Sequence, residues 1–161
     1  MLKVRVIPVL LLRGGRMVKT KQFGQDGERD VGSPITTARI YDSQDADELI
    51  FLDIDAHSGD RSFLAATLKD VAQSCFIPLT AVGGIHTLED IQEVLQIGAD
   101  KVAINTSALE DPDFISRAAA RFGNQCIVVS IDVRKSEEGY RVYSHGGKKE
   151  TRREPVAWAK E

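Results

Sequence analysis

The sequence predicts a parallel α/β fold, either a barrel or an open sheet, on three observations. Five short β-branched runs are apolar at consecutive positions, the pattern of strands covered on both faces. From the second run on they start at positions 49, 79, 101 and 126, that is 30, 22 and 25 residues apart, the spacing of a strand–helix repeat. Each interval holds a segment of helical periodicity with its own start or stop signal.

Taken in order, the first strand is expected over Val4–Leu10. Ser33-Pro34 then reads as an N-cap followed by proline at the first helical position, opening a helix toward Ser43. The second strand is Leu49–Ile54. A helix over Ser62–Ser74 follows, with Phe63, Leu64, Leu68, Val71 and Ala72 as its apolar face. Pro78 marks the entrance to the third strand, Leu79–Val82. Thr87-Leu88-Glu89-Asp90 resembles a capping box for a helix that ends near Gly98. The fourth strand is Lys101–Asn105, Asp111-Pro112 caps a helix running to Phe122, and the fifth strand is Cys126–Asp132. The polar stretch 134–153 breaks the rhythm and reads as a β-hairpin insertion. Pro155 to Glu161 starts another helix, with Trp158 as its packing residue.

A chain of 161 residues predicts one domain, yet a closed eight-unit barrel takes roughly 250 residues. The expectation is therefore a single incomplete domain over 1–161, about five βα units cut before a sixth strand. Unpaired edges would then make the isolated chain aggregate, oligomerise or stay partly disordered. The composition, 42% hydrophobic and 28% charged with a net charge of −3, is that of a globular protein and argues against a nucleic-acid partner. No apolar run approaches the ~18 residues of a membrane span. Cys75 and Cys126 lack metal or redox spacing and read as small apolar residues of a reducing cytoplasm.

Functional groups of parallel α/β folds sit at the C-terminal ends of strands. Gly83-Gly84 follows the third strand and is either a tight turn or a close-approach site for an oxyanion. Asn105-Thr106-Ser107 follows the fourth and is either a helix cap or the other part of a phosphate cradle. Asp132 closes the fifth, and Asp53 and Asp55 the second; each is a turn residue or an acid/base carboxylate. At the opposite ends Arg5, Glu48 and Lys101 make either a functional charged ring or a stabilising ion-pair layer. His57, His86 and His145 show no metal-ligand spacing, so neither a metal nor a cofactor is expected. Lys148, Lys149, Arg152 and Arg153 form a basic patch that is a solvated face or a phosphate or partner contact.

These motifs, in order, resemble a known family. Arg5-Val6-Ile7-Pro8 with Gly15-Arg16-Met17-Val18-Lys19, Asp47-Glu48-Leu49-Ile50-Phe51-Leu52-Asp53-Ile54, Val82-Gly83-Gly84-Ile85, Gly98-Ala99-Asp100-Lys101-Val102 and Ile104-Asn105-Thr106 are similar to the cyclase subunit of imidazole glycerol phosphate synthase, the HisF family. The resemblance covers essentially the whole chain and about the first three fifths of a family member. It implies a (β/α)8 TIM barrel, a lyase/cyclase activity and a glutaminase partner, HisH. Ammonia from that partner enters at the bottom of the barrel and attacks a phosphoribulosyl-formimino aminoimidazole carboxamide ribotide. By position, Gly84, Asn105 and Thr106 are implied to bind a substrate phosphate, Lys19 to lie near the substrate, and Asp132 to be one catalytic carboxylate. Arg5, Glu48 and Lys101 are implied members of the ammonia gate.

One departure stands out. The family's other catalytic Asp belongs at the end of the first strand, and Leu11 occupies its place. Leucine carries no proton, and general acid/base groups are worth about 10²–10⁴-fold. The Val-Ile-Pro-Val-Leu-Leu-Leu start followed by Gly-Gly resembles a divergent branch that accompanies surface-polysaccharide gene sets and is associated with installing an acetamidino group on a sugar. Two alternatives stand beside it: a histidine-pathway cyclase, and a non-catalytic glutaminase-docking module. The 161-residue chain alone is expected to be inactive.

Overall fold

Pro8 decides where the sheet begins. The chain is already extended beside its neighbour from Val6, whose carbonyl accepts from Asp47 N–H at 3.1 Å, and Pro8 O accepts from Ile50 N–H at 3.0 Å. Proline has no N–H to return, so the regular ladder starts only at Val9. The first strand, β1, is therefore Val9–Arg13 rather than the expected Val4–Leu10. This computed structural model describes residues 4–21, 27–56, 62–137 and 139–161. Two compact units divide them, Met1–Ala103 and Ile104–Glu161.

In the first unit β1 turns straight back into β2 (Arg16–Lys19), antiparallel, with Arg13 opposite Arg16. Gly14 and Gly15 make that two-residue turn at φ 51° and 83°, left-handed values that glycine reaches without a Cβ penalty. A short β3 (Arg29–Asp30) pairs with β2. Neither β2 nor β3 is anticipated above, although Gly-Gly between two apolar runs is a hairpin signal.

Helix α1 (Pro34–Ser43) starts as its cap predicts, with Thr36 N–H donating to Ser33 Oγ. β4 (Leu49–Asp53), α2 (Ser62–Ala72), β5 (Leu79–Val82), α3 (Leu88–Ile97) and β6 (Lys101–Ile104) follow. The unit's strand order is β3-β2-β1-β4-β5-β6. The β1–β4, β4–β5 and β5–β6 pairs are parallel, so all four strands start at one edge of the sheet and finish at the other. Helix α2 packs on β4 and β5.

Burial separates the two faces. Leu10 and Leu12 of β1 and Leu49 and Phe51 of β4 are buried, Phe51 and Leu12 completely, with Leu64, Leu68 and Val71 of α2 also buried. Leu11, Ile50 and Leu52, on the opposite face of the same strands, are only half-buried. The expectation of strands covered on both faces thus holds for β5, buried at every position, but not for β1 and β4.

Gly83, just past β5, stands at φ 121°, and a Cβ there would lie 2.6 Å from the Asp53 carbonyl oxygen. Backbone cannot yield as a flexible side chain does. Gly83→Ala is expected to lower stability by at least about 2 kcal/mol, read as a lower urea midpoint at unchanged slope.

The second unit opens with α4 (Thr106–Glu110), where the sequence reading had a helix cap or part of a phosphate cradle. Then come α5 (Asp113–Phe122), a 3-10 turn over Asn124–Cys126, and β7 (Ile127–Val129). The fifth strand is shorter than the expected Cys126–Asp132. Asp132 instead opens β8 (Asp132–Ser136), which pairs antiparallel with β9 (Gly139–Ser144), and β9 with β10 (Lys149–Glu150). The insertion is thus a three-stranded sheet. Helix α6 (Pro155–Lys160) is capped by the Glu154 carboxylate, which accepts from Val156 and Ala157 N–H. Trp158 is buried under the Arg153 guanidinium, 4.4 Å from the ring centre. No helix among the described residues is long and apolar enough to cross a membrane.

Candidate functional site

At the edge where the parallel strands start, acidic side chains tie down the incoming backbone. Asp47 Oδ2 accepts from Val6 N–H at 2.7 Å, and Asp100 Oδ2 from Leu79 N–H at 2.8 Å. These ties align the first residues of neighbouring strands and bring the three predicted gate residues together. Glu48, 5% exposed, accepts from Lys101 Nζ at 2.5 Å and from the Thr80 hydroxyl. Arg5 Nη1 lies 3.6 Å from the same carboxylate. Burial pushes the Glu48 carboxyl up, but the hydrogen bonds from Lys101 and Thr80 and the charges of Lys101 and Arg5 together outweigh it. Its pKa ends below the usual glutamate range.

The cluster carries two cations on one carboxylate, and the Arg5 side chain is mostly exposed. Sequence reasoning missed two features where the parallel strands start. Thr80 is buried as the second donor to Glu48. Phe76, two residues before Pro78 at the β5 entrance, is 98% exposed. An aromatic side chain so open at a strand entrance is the kind of group that anchors interfaces.

At the other edge β4 ends in Asp53, which is buried and whose Oδ1 accepts from Asp55 N–H at 3.0 Å. Arg13, the last residue of β1, is also buried. Its guanidinium pairs with Glu28 and its Nε lies 3.3 Å from Asp55 Oδ1. This Arg13–Glu28–Asp55 group is not anticipated from the sequence, because its members are up to 42 residues apart and no local pattern links them. Leu11 sits in β1 between Val18 and Leu52, so the position expected to hold a carboxylate is apolar on both sides. Lys19 ends β2, exposed, opposite Arg29.

Gly84 stands at φ 64°, at the start of the loop into α3. The N-terminus of α3 is closed by its own sequence: Asp90 Oδ2 accepts from His86 and Thr87 N–H, and Asp90 N–H donates to Thr87 Oγ1. The helix end predicted to favour an anion is therefore occupied by the protein's own carboxylate.

In the second unit Asn105 precedes α4 without capping it, and its buried Oδ1 has no partner among the described residues. The Thr106 hydroxyl accepts from His145 N–H at 2.9 Å. Asp132 is half-buried, and burial pushes its carboxyl above the usual aspartate range. Such a group keeps a proton to a higher pH, the property of a general acid. His86 is exposed, and His57 lies outside the described residues. Among the described residues no three His, Cys, Asp or Glu side chains are grouped to hold a metal ion.

Parallel βα units with ionisable and small polar groups at the strand ends fit part of a (β/α)8 barrel. Residues 5–161 match the family described as Histidine biosynthesis protein, and the chain belongs to that family. It is 50% identical over 161 residues to the imidazole glycerol phosphate synthase subunit HisF of an Exiguobacterium species, covering 100% of this chain and 62% of that protein. It is 45% identical over 161 residues to the subunit of the same name from Myxococcus xanthus, covering 100% of this chain and 63% of that protein. The chain thus spans a little over three fifths of the length of these relatives.

Proposed function

We propose that this chain supplies the ammonia-entry and part of the substrate side of an ammonia-using cyclase/lyase subunit of the imidazole glycerol phosphate synthase type. Its partner in this reading is a HisH-like glutaminase, docked where the parallel strands start. The observation that carries the proposal is the Glu48 carboxylate, buried and held by Lys101, Thr80 and Arg5. A buried carboxylate shared by two cations is costly to maintain for stability alone. Arg5 and Phe76 would present the exposed cation and aromatic anchor to the partner. Gly84, Asn105, Thr106 and Lys19 would face a phosphorylated or sugar-derived substrate, and Asp132 would transfer the proton. Free, thiol-bearing Cys75 and Cys126 suit a cytoplasmic setting.

Leu11 favours a changed acceptor over histidine-pathway cyclisation, with an amidation of the acetamidino type on a polysaccharide sugar as the proposed chemistry. The alternative, a cyclase of the histidine pathway, draws on the 45–50% identity to HisF subunits. A coupled glutamine-hydrolysis assay of the complete protein with a HisH-like glutaminase tests the pairing. Stimulated hydrolysis is expected, and none would remove the proposal; binding without stimulation would leave a docking module. Leu11→Asp separates the two chemistries. Under the proposal it yields no cyclase activity on the histidine-pathway substrate, whereas a gain of about 10²-fold or more would restore the histidine reading.

A further inference from the structure

Register lines up three side chains on one face of the sheet formed by β8, β9 and β10. Asp132 stands directly opposite Tyr143, and Tyr143 directly opposite Glu150. Directly opposed residues of an antiparallel pair share a face, and along a strand every second residue returns to it. Arg134, two residues after Asp132, therefore lies on this face too, opposite Arg141. Val142 and Ser144 belong to the other face and are buried.

Arg134 is exposed, yet it is held in one place. Its guanidinium lies over the Tyr143 ring, 4.8 Å from the ring centre, and its Nη2 donates to the Gly147 carbonyl at 3.1 Å. The ring is fixed in turn, because the Tyr143 hydroxyl donates to Glu150 Oε2 at 2.9 Å. The Glu150 carboxylate thus serves the tyrosine, and among the described residues no carboxylate forms an ion pair with Arg134. Arg141, the cation opposite, donates to the Tyr140 carbonyl.

A guanidinium has five N–H donors in a rigid fork that matches oxyanions, and Gly147 takes one of them. Stacking and that hydrogen bond hold the fork ready, so an anion need not order it first. We infer that Arg134 is a specificity-determining residue that binds an anionic oxygen group, phosphate or carboxylate, of the substrate that Asp132 protonates. The inference rests on the proposed proton-transfer role of Asp132. Strand spacing puts the two Cα atoms about 6–7 Å apart, close enough for one small molecule to reach both side chains. Burial also holds the Asp132 carboxyl above the usual aspartate range. A carboxyl that keeps its proton to a higher pH opposes a neighbouring anion less than an ordinary one.

Magnetic resonance of the complete protein, isotope-labelled at arginine nitrogen, tests this. The Nε–H signal of Arg134 is identified by its loss in Arg134→Gln. Inorganic phosphate and acetate are the two probes, titrated separately at pH 7 and constant ionic strength. One of them is expected to shift this signal saturably, at least about fivefold more tightly than the other, and so to name the group. Tyr143→Leu removes the platform and should weaken that binding about three- to fivefold. Tyr143→Phe keeps the ring, reports even where Tyr143→Leu fails to fold, and should change the affinity less than about twofold. Thr106→Val should leave the response unchanged. No saturable shift, equal affinity for the two probes, binding indifferent to Tyr143→Leu, or a response lost in Tyr143→Phe or Thr106→Val would overturn the inference and leave the Asp132 reading standing. Full turnover in Asp132→Asn, with the anion still bound at Arg134, would instead remove the proton-transfer reading and the substrate role with it.

Discussion

Under the proposed cyclase/lyase function, replacing Asp132 with Asn in the complete protein is expected to cut turnover by about 10²–10⁴-fold while making the fold more stable at neutral pH. The two effects share one cause. Burial disfavours the charged carboxylate and pushes its pKa above the ordinary aspartate value. A carboxyl with a folded pKa above its unfolded one binds its proton more tightly when folded. Stability therefore falls as pH rises from the ordinary value, about 3.9, through the folded one, and the penalty persists at pH 7. Asparagine keeps the size and removes the charge, so the penalty disappears along with the proton donor. Urea melts at pH 7 and pH 3.5, run beside turnover assays, read both effects. The variant's advantage should be present at pH 7 and shrink at pH 3.5. A variant less stable than wild type at pH 7 would mean that the carboxylate is compensated in the fold and does not act as a poised acid.

Removing the Glu48 carboxylate is expected to have the largest effect on the first unit. Glu48→Ala strands Lys101 and Arg5 together and leaves the Thr80 hydroxyl without its acceptor. Breaking a fully buried pair costs about 3–5 kcal/mol; here Lys101 and Arg5 both reach solvent, which reduces the expected loss to about 2–3 kcal/mol. The pH dependence runs opposite to that of Asp132. The folded pKa of Glu48 lies below its unfolded value, so its contribution is complete above the ordinary glutamate range. It is lost as pH falls through the folded value. Denaturation midpoints of wild type and Glu48→Gln should therefore converge on acidification. Parallel curves from pH 7 to pH 3 would show that the carboxylate contributes nothing specific. Under the proposed glutaminase pairing, Glu48→Ala in the complete protein is also expected to abolish stimulation of the glutaminase.

Local chemistry was readable wherever the responsible residues are neighbours in the chain. Ser33-Pro34 starts α1, and Thr87 with Asp90 starts α3, because caps act within a single turn. The first strand was misplaced because apolar character extends through Val4–Leu10, while the ladder also needs donors and Pro8 has none. Asn105-Thr106-Ser107 read as a cap or a phosphate cradle and not as part of a helix, because five-residue α4 is too short to show a periodicity. Asp90, read in the sequence as the last residue of a capping box, closes the α3 N-terminus with two hydrogen bonds.

By itself the sequence determined the βα order, the helix starts and the positions where ionisable groups fall at strand ends. Those follow from periodicity, capping and proline or glycine chemistry, all of which act over a few residues. Only the tertiary structure decided which of those groups meet. It joined Glu48 to Thr80 and Lys101, 32 and 53 residues away, and Arg13 to Glu28 and Asp55. It set His145 against both ends of α4 and left Phe76 in solvent while Phe51 vanished into the core. Strand register and the packing of one face create these contacts, and neither is written in the local alternation of apolar and polar residues.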